Sequence, residues 1–313
     1  MSRFGRQVFI MPNTSIIMPC FNHGRFVAES VQAILRQTDG DFELLIVDDR
    51  SSDNSWHVIQ ALARADSRIH AIRHDANKGA SCSRNDALQL AAGDFIGFCD
   101  ADDIWERDKL RFQVELLKTN SGFDVTYCDS MIIDEGGQPV QQNFSDRFSL
   151  PKEPSGNLFP ELLVRNFVNM QSVLIRRECF QQVGFFDETI KWVEDWLYWL
   201  QVARRYRFLY SDRLFARYRV HSRSTNLVQK RGAAMHRVKV LRQLLGQYDD
   251  LSTRQRTLIY HNIGGELCDL GKQRTGRIML RRAVILSLTD ARAFWAGCKA
   301  ALRLLRPSHS HLM

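Results

Sequence analysis

Residues 94–103 read Asp-Phe-Ile-Gly-Phe-Cys-Asp-Ala-Asp-Asp, an apolar run that ends in three carboxylates. The run has the length and composition of a buried strand. If the chain stays extended beyond it, Asp100 and Asp102 share one face while Ala101 points away. Like charges this close repel unless a cation neutralises them, and oxygen ligands suit Mg²⁺ or Mn²⁺. An Asp-rich turn in which Asp103 caps the next helix explains the same residues equally well.

Short apolar runs and helical patterns alternate on both sides of this stretch. Strands are expected at 15–18, 42–47, 69–72, 95–99, 123–128 and 172–175, and helices at 26–37, 53–65, 80–91, 195–206 and from 229 onwards. Strands separated by helices of this length indicate an α/β fold with a Rossmann-like, mainly parallel sheet flanked by helices, followed by a C-terminal helical extension. Ligands of such sheets bind beyond the carboxyl ends of the strands.

The composition is that of a globular protein. Of 313 residues, 44% are hydrophobic and 25% are charged, which permits one large domain with an appendage. No apolar stretch approaches the roughly 20 residues of a membrane-spanning helix, and the apolar patch within residues 1–11 is too short for a secretory signal. The expected location is therefore the cytoplasm. Seven cysteines without a C-x-x-C pair fit reduced thiols better than disulfides or structural zinc.

Four separate motifs follow predicted strands or begin predicted helices. Asp48-Asp49 supplies carboxylates that accept hydrogen bonds from a nucleobase N–H or a ribose hydroxyl. Asn77-Lys78-Gly79, followed by Arg84, supplies a glycine turn, a helix N-terminus and cations that suit a diphosphate. Residues 100–102 form the third motif. The fourth is Glu194-Asp195, whose large aromatic neighbours favour a role as a base.

The order and spacing of these motifs resemble the family 2 glycosyltransferases with the GT-A fold. The motifs that carry the resemblance are Ile16–Asn22, Val47–Asp53, Asn77–Gly79, Arg84-Asn85, Asp100–Asp103 and Glu194-Asp195. The resemblance covers about residues 14–225. It implies inverting transfer of one sugar from a nucleotide-diphosphate sugar, expected to be a UDP-sugar, with Mn²⁺ or Mg²⁺ as cofactor. It also implies a glycan or lipid-linked acceptor and a place in cell-surface polysaccharide or other glycan biosynthesis.

The resemblance also implies a role for individual residues. Asp49, with Asp48 beside it, resembles the nucleobase contact, and Asp195, with Glu194 beside it, resembles the general base. The residues expected at the metal are Asp102, Asp100, which alternatively contacts the donor ribose, and His221 of the run Tyr218-Arg219-Val220-His221. The other residues expected at the donor are Pro19, Asn77, Lys78, Gly79, Arg84 and Ala101.

Two departures and two rival functions accompany this resemblance. Arg50 stands where relatives often have glycine. The Gln-x-x-Arg-Trp motif of processive synthases is absent, which favours single-sugar transfer. A sugar nucleotidyltransferase would carry a Gly-rich basic loop after the first strand, where this chain has Pro19–His23. A non-catalytic sugar-nucleotide or glycan-binding module is the second rival, and a P-loop ATPase is excluded because no G-x-x-x-x-G-K-[ST] occurs.

The predicted domain organisation follows from the extent of the resemblance. Residues 1–226 form the catalytic domain, with a nucleotide-sugar half at about 14–128 and an acceptor half at about 129–226. A polar loop at 143–157 lies in the acceptor half, and the donor sugar, the acceptor and the linkage are expected to depend on loops such as this one. Residues 227–313 form a basic helical region.

The C-terminal region carries most of the positive charge. The net charge is +8, and residues 229–313 hold 16 lysines and arginines against five acidic residues. Such a region indicates an anionic surface, or else a solvated basic helical face. Nucleic acid is the less expected partner, because no aromatic residues interleave with the basic ones.

A helix expected at 289–306 places Phe294, Trp295 and Leu302 on one apolar face. This face either lies on an anionic inner membrane surface, near a lipid-linked acceptor, or packs Phe294 and Trp295 onto preceding helices.

Overall fold

The computed structural model describes residues 12–141, 144, 154–222, 224 and 230–305. The apolar patch within residues 1–11, most of the loop predicted at 143–157 and the domain boundary predicted after residue 226 lie outside the described residues. Within the part of the chain that is described, no helix is both long enough and apolar enough to cross a bilayer.

The strands of the described residues are β1 (Thr14–Cys20), β2 (Phe42–Asp48), β3 (Ile69–Arg73), β4 (Phe95–Phe98), β5 (Ile104–Trp105), β6 (Val125–Ile133), β7 (Pro139–Gln141), β8 (Leu174–Arg176) and β9 (Phe208–Arg219). They form one sheet in the order β3-β2-β1-β4-β8-β6-β9-β5, and β7 pairs with β6. The pairs β1–β2, β1–β4, β2–β3 and β6–β9 are parallel. The pairs β4–β8, β6–β8, β6–β7 and β5–β9 are antiparallel. The expected parallel sheet is thus found in the first four strands, and the rest of the sheet is mixed.

The α-helices of the same residues are α1 (Val27–Leu35), α2 (Ser55–Ala65), α3 (Ala80–Leu90), α4 (Lys109–Thr119), α5 (Phe159–Leu162), α6 (Arg177–Val183), α7 (Glu194–Ala203), α8 (Lys230–Gln247), α9 (Thr253–Asp269), α10 (Gln273–Ser287) and α11 (Phe294–Leu305). Helices α1, α2 and α3 follow the first three strands, as the periodicity predicts. Helices α8 to α11 confirm the helical C-terminal extension.

Strands β1 and β2 form the centre of the core because almost every residue of both is buried. Ile16 and Ile46 pack in one cluster with Val27 and Val31 of α1. Parallel strands that are covered on both faces need continuous apolar runs, which explains why residues 42–48 do not alternate. Burying one such aliphatic side chain contributes roughly 1.5–3 kcal/mol.

The register of the sheet places the acidic motifs beside the end of β1. Cys20 pairs with Asp48 in the β1–β2 ladder, and the Asp49 amide donates to the Cys20 carbonyl at 2.8 Å. On the other side of β1, the Cys99 amide donates to the Ile17 carbonyl at 3.0 Å. The acids that follow β2 and β4 therefore flank one strand end, which is where parallel sheets bind ligands.

The chain divides into two compact units that interleave along the sequence. The first takes its described residues from Met1–Gly156, Val168–Phe186 and Arg205–Val220 and contains the sheet with α1–α4 and α6. The second takes them from Asn157–Phe167, Asp187–Arg204 and His221–Met313 and contains α5 and α7–α11. The domain boundary after residue 226 stays a prediction.

In the second unit, α11 packs through its small residues. Gly297 and Ala300 are buried, and a Cβ added at Gly297 would overlap the hydroxyl of Ser287 in α10. The large apolar side chains Phe294 and Trp295 are exposed, Trp295 by 76%. The alternative in which Phe294 and Trp295 pack onto preceding helices is therefore wrong.

Candidate active site

The carboxylates of residues 100–103 lie in a turn and not on an extended strand. β4 ends at Phe98, and the Asp103 amide donates to the Asp100 carbonyl at 3.1 Å. The expectation that Asp100, Ala101 and Asp102 alternate along a strand is therefore wrong. Burial separates these residues instead, because Asp100 and Asp102 are partly exposed whereas Ala101 and Asp103 are buried.

Asp103 belongs to the interior and does not cap a helix. Its carboxylate accepts a hydrogen bond from the Arg219 amide at 2.8 Å, and α4 begins only at Lys109. Burial, and then the charges of Asp102 and Asp100, hold the pKa of Asp103 well above its ordinary value. The negative charges of Asp102 and Asp100 thus contribute to the raised pKa, and a bound cation would offset them.

Asp102 lies beside a histidine that the sequence motifs did not single out. His23 Nδ1 is 3.7 Å from Asp102 Oδ1, and both side chains are partly exposed. The pair presents a carboxylate oxygen and an imidazole nitrogen, which together suit a divalent transition metal such as Mn²⁺. His23 lies just after the end of β1, as Asp49 lies just after β2. This position at a strand end was the feature of the sequence that could have identified His23 as a site residue.

Asp100 is paired with an arginine. Arg84 of α3 donates through Nη2 to Asp100 Oδ1 at 2.9 Å, and its guanidinium lies over the ring of Phe186. Arg84 is buried, so this ion pair is only weakly screened by solvent. The positive charge of Arg84 offsets the negative charge of the Asp100 carboxylate. Asp102 is therefore the better candidate for a metal ligand.

Arg219 fixes the backbone of the acidic turn. Its guanidinium donates to the Asp102 carbonyl at 2.8 Å, to Glu29 Oε2 of α1 at 2.7 Å and to the Glu135 carbonyl at 3.1 Å. The side chain is 2% exposed and also lies over the ring of Phe26. One planar group thus ties the turn to α1 and to the hairpin after β6. The sequence contained Arg219 within a recognised run but gave no sign of these distant partners.

Asp49 is fully engaged by the protein. Its Oδ1 accepts from the Lys78 amide at 2.7 Å, its Oδ2 accepts from the Gly79 amide at 2.8 Å, and His74 Nδ1 lies 2.7 Å from Oδ1. The carboxylate is buried. These amides were expected to face a diphosphate, but they bind Asp49 instead. The Asn77 side chain donates to the Asp49 carbonyl at 3.3 Å and closes the same turn.

Glycine is required at the start of α3 for conformational reasons. Gly79 has φ of +92°, a left-handed value that side chains disfavour, although a Cβ there would meet no atom. Arg50 also has a positive φ, of +61°. The same preference explains why glycine suits position 50, and the arginine there leaves Asp48 and Asp49 in place.

The other residues expected at the donor differ in what they offer. Asp48 is fully buried, and its Oδ2 accepts from Arg73 Nε at 3.2 Å. Pro19 is partly exposed near the end of β1, and the Lys78 side chain is exposed. Ala101 is buried in the apolar core, and Ser30 donates to its carbonyl at 3.0 Å. The Ala101 side chain therefore contributes no binding group.

Glu194 and Asp195 begin α7 in the second unit. Asp195 Oδ2 accepts from Asn166 Nδ2 at 2.8 Å, and Oδ1 accepts from the Trp196 amide at 2.7 Å. Donors to both oxygens and a position at a helix N-terminus stabilise the ionised carboxylate, the form that a general base requires. Asn166 is a further residue that the sequence motifs missed.

His221, also in the second unit, is buried within a tight turn. The Ser224 hydroxyl accepts a hydrogen bond from the His221 amide at 2.9 Å, and the Ser224 amide donates to the His221 carbonyl at 2.9 Å. These two bonds fix the backbone from which the imidazole projects.

Comparisons with known proteins identify the family. The model of "Glycosyl transferase family 2" matches residues 15–184, more than half of the chain. The chain belongs to glycosyl transferase family 2. Two family relatives are the putative teichuronic acid biosynthesis glycosyltransferase TuaG of Bacillus subtilis and the glucosyltransferase WfgD of Escherichia coli. TuaG is 30% identical over 62% of this chain and 73% of its own length. WfgD is 44% identical over 35% of this chain and 43% of its own length.

Some relatives in the family are much longer than this chain. The match spans 32% of the length of two uncharacterized Rickettsia glycosyltransferases, from R. felis and R. conorii. The aligned part of this chain therefore corresponds to about a third of each of those proteins.

Solved structures show that this family 2 chain has the GT-A fold. Staphylococcus aureus TarS, solved with UDP-GlcNAc, superposes with a TM-score of 0.69 at 17% identity over 93% of this chain and 89% of that one. The mannosyltransferase PcManGT of Pyrobaculum calidifontis, solved with GDP-Man and Mn²⁺, superposes with a TM-score of 0.64 at 16% identity over 95% and 88%. At this level of identity the likeness concerns the fold.

Proposed function

We propose that the protein is an inverting glycosyltransferase that moves one sugar from a nucleotide-diphosphate sugar to an acceptor hydroxyl. The observation that carries this proposal is the acidic turn after β4, where Asp102 lies beside His23 and Asp100 is paired with Arg84. In a family 2 chain with the GT-A fold, this turn lies where a parallel sheet binds its ligand.

A divalent metal fits the residues of this turn. The raised pKa of the buried Asp103 reflects burial first and then the negative charges of Asp102 and Asp100, and a cation would relieve that repulsion. We assign Asp102 as the principal ligand, with His23 and Asp100 beside it, and we keep His221 as a candidate ligand. A bound Mn²⁺ stabilises the negative charge that develops on the diphosphate leaving group.

We propose Asp195 as the general base, and we keep Glu194, its neighbour at the start of the helix, as a second catalytic candidate. The ionised carboxylate takes the proton from the acceptor hydroxyl as that oxygen attacks the anomeric carbon. Such general-base catalysis is worth ~10²- to 10⁴-fold. Asn166 holds Asp195 Oδ2, so it orients the base.

The donor and acceptor are proposed by analogy with the relatives. TarS was solved with UDP-GlcNAc, and the name of WfgD specifies a UDP-Glc donor and an undecaprenol-linked acceptor. We therefore propose a UDP-sugar donor, a glycan or lipid-linked acceptor, and a role in cell-surface polysaccharide biosynthesis.

The Asp195→Asn variant tests the proposal. The amide keeps the size of the side chain but cannot accept the proton, so we expect UDP binding to stay near the wild-type value while turnover falls about 100-fold or more. Asp212→Asn, in β9, is the matched control and should leave turnover unchanged. Wild-type turnover by Asp195→Asn would refute the role of Asp195. If the wild type and Asp212→Asn both fail to hydrolyse or transfer any UDP-sugar, a non-catalytic binding module is the better description.

The exposed face of α11 favours a location at a membrane surface, which we propose as part of the function. Trp295, Leu302 and Leu305 are exposed, whereas the small residues of α11 pack inwards. Lys299 and Arg292 lie on or next to the same helix and are exposed. Large apolar side chains with flanking cations suit the interface of an anionic bilayer. The proposed location is the cytoplasmic side of the membrane, near a lipid-linked acceptor.

Co-sedimentation with vesicles tests this location. We expect the wild type to sediment with vesicles that contain phosphatidylglycerol and not with pure phosphatidylcholine. The double variant Trp295→Ser/Leu302→Ser should lose that binding, because both residues are exposed and their loss leaves the packed face intact. Leu90→Ser removes an exposed apolar side chain from α3 and serves as the control. Equal sedimentation of all three proteins would refute the membrane proposal.

A further inference from the structure

His74 joins the ends of two strands and a helix within the first unit. It follows β3 directly, and its amide donates to the Asp48 carbonyl at 2.9 Å. Its ring is buried, with Nδ1 at 2.7 Å from Asp49 Oδ1 and Nε2 at 2.9 Å from Asp86 Oδ2. Asp49 follows β2 and Asp86 lies in α3, so one imidazole connects three elements of the sheet edge.

The two contacts of His74 require a particular protonation state. An ionised carboxylate only accepts hydrogen bonds, and a neutral imidazole carries only one N–H. Asp49 also accepts two backbone amides, which favours its ionised form. Asp86 is partly exposed, so its ionised form is hydrated. Both contacts are hydrogen bonds together only when both ring nitrogens of His74 carry protons.

We propose that His74 is a protonated positioning residue that, oriented by Asp86, holds Asp49 and the Lys78–Gly79 turn in the conformation that binds the nucleotide. This inference rests on the proposed function, because it takes a nucleotide-sugar donor as the ligand and takes Asp49 as the nucleobase contact that the family resemblance implies. His74 itself touches no reactant. It acts through the carboxylate of Asp49, whose three donors are His74 and the two amides of the turn.

The charges around His74 agree with a positive imidazole. Its neighbour Arg73 binds the Asp48 carboxylate, so that pair is already balanced. Asp49 and Asp86 both face the His74 ring, and a single positive charge lies between them. When His74 loses a proton, one of its two nitrogens presents a lone pair to a carboxylate, and one contact must break. Loss of this proton is therefore expected to weaken nucleotide binding.

A metal is the alternative occupant of the same place. His74 Nε2, Cys82 Sγ and an Asp86 oxygen lie within 4.8 Å of one another. A Zn²⁺ ion bound there would replace the proton on Nε2 and would release that nitrogen from its hydrogen bond to Asp86. Added Zn²⁺ therefore separates the two occupants experimentally.

The first experiment reads the protonation state directly. Side-chain ¹⁵N NMR of the full chain, with the His74 signals assigned by their loss in His74→Phe, should show two protonated nitrogens at pH 6.5. The signals should stay unchanged when Zn²⁺ is added and removed by a chelator. A neutral tautomer at pH 6.5, or signals that shift with one equivalent of Zn²⁺, would overturn the proposal. This readout needs no glycosyl transfer, so it can fail while the proposed function holds.

The second experiment reads the coupling to the nucleotide. Calorimetry with UDP and Mn²⁺ should show that His74→Phe weakens binding about tenfold at pH 6, as losses of orienting partners do, and that the difference from the wild type shrinks at higher pH, where the wild type loses one of its own contacts. Asp86→Asn should bind UDP like the wild type at pH 6 but lose the pH dependence, because an amide can pair with either form of His74. His70→Phe, exposed on β3, is the control and should match the wild type. A pH dependence that is identical in wild type and Asp86→Asn would overturn the proposal.

Discussion

Replacing the buried Lys109 is expected to change how stability depends on pH. Lys109 of α4 is fully buried; its Nζ donates to Gln113 Oε1 at 2.5 Å and lies 3.9 Å from the centroid of the Trp105 ring. Burial lowers the pKa of Lys109 to about 8 from its ordinary value of 10.5. The partners of this amine among the described residues are Gln113, the Val173 carbonyl and Trp105, none of which is a candidate site residue, so we attribute the effect to the fold.

The magnitude follows from the difference between the two pKa values. In the unfolded chain the amine keeps its proton up to about pH 10.5, whereas in the folded chain it loses the proton near pH 8. The unfolded state thus binds more protons between these values, so stability rises with pH in this window. The full burial penalty is about 3 kcal/mol at pH 7, and about 1 kcal/mol of it is relieved by pH 9.

The assay is urea unfolding of wild type and Lys109→Met, followed by circular dichroism at several pH values. Methionine fills a similar volume without a charge, so the variant should lack the rise that Lys109 causes. The stability of the wild type relative to Lys109→Met should increase by about 1 kcal/mol from pH 7 to pH 9. Lys118→Met, exposed on the same helix, is the control whose difference should not change with pH. A constant difference for Lys109→Met would refute the reasoning.

Two further predictions concern positions whose local geometry is unusual. Arg219→Lys cannot reach the Asp102 carbonyl and Glu29 together, so it should weaken Mn²⁺-dependent UDP binding about tenfold in calorimetry. A lower melting temperature with unchanged binding would show that Arg219 only stabilises the fold. Arg50→Gly should stabilise the protein by up to about 1 kcal/mol in urea unfolding, because glycine accepts the positive φ freely. Arg36→Gly, where φ is −85°, should destabilise it, and the same sign at both positions would contradict this explanation.

The sequence was sufficient to predict the elements whose apolar pattern is strong. Strands β1 to β4 and helices α1 to α3 were predicted within a few residues, because buried parallel strands and one-sided helices leave a local pattern. Strand β9 (Phe208–Arg219) was missed because its half-buried residues alternate with arginines and an aspartate. The two-residue strand β5 was missed because it is too short for a local pattern, and its strand partner among the described residues is the distant β9.

The candidate site was predictable to the extent that its residues fall in motifs. The order of the motifs identified the family, and that identification is confirmed. The contacts of His23, His74 and Arg219 were missed because each joins segments far apart in sequence, such as Arg219 with Glu29. At residues 100–103 the sequence left an extended chain and an Asp-rich turn open; the turn is observed, without the helix cap expected of Asp103, because an Asp-rich stretch is compatible with both conformations. The assignment of roles to individual site residues stays a prediction.

The central claim is that Asp102 couples a divalent metal to the binding of the donor nucleotide, and one calorimetric measurement tests it most directly. UDP is titrated into wild type, Asp102→Asn and the exposed control Asp108→Asn, each with and without Mn²⁺. The account predicts that Mn²⁺ increases UDP affinity about tenfold or more in the wild type and in Asp108→Asn, and has no effect in Asp102→Asn. The same Mn²⁺ effect in all three proteins would contradict it.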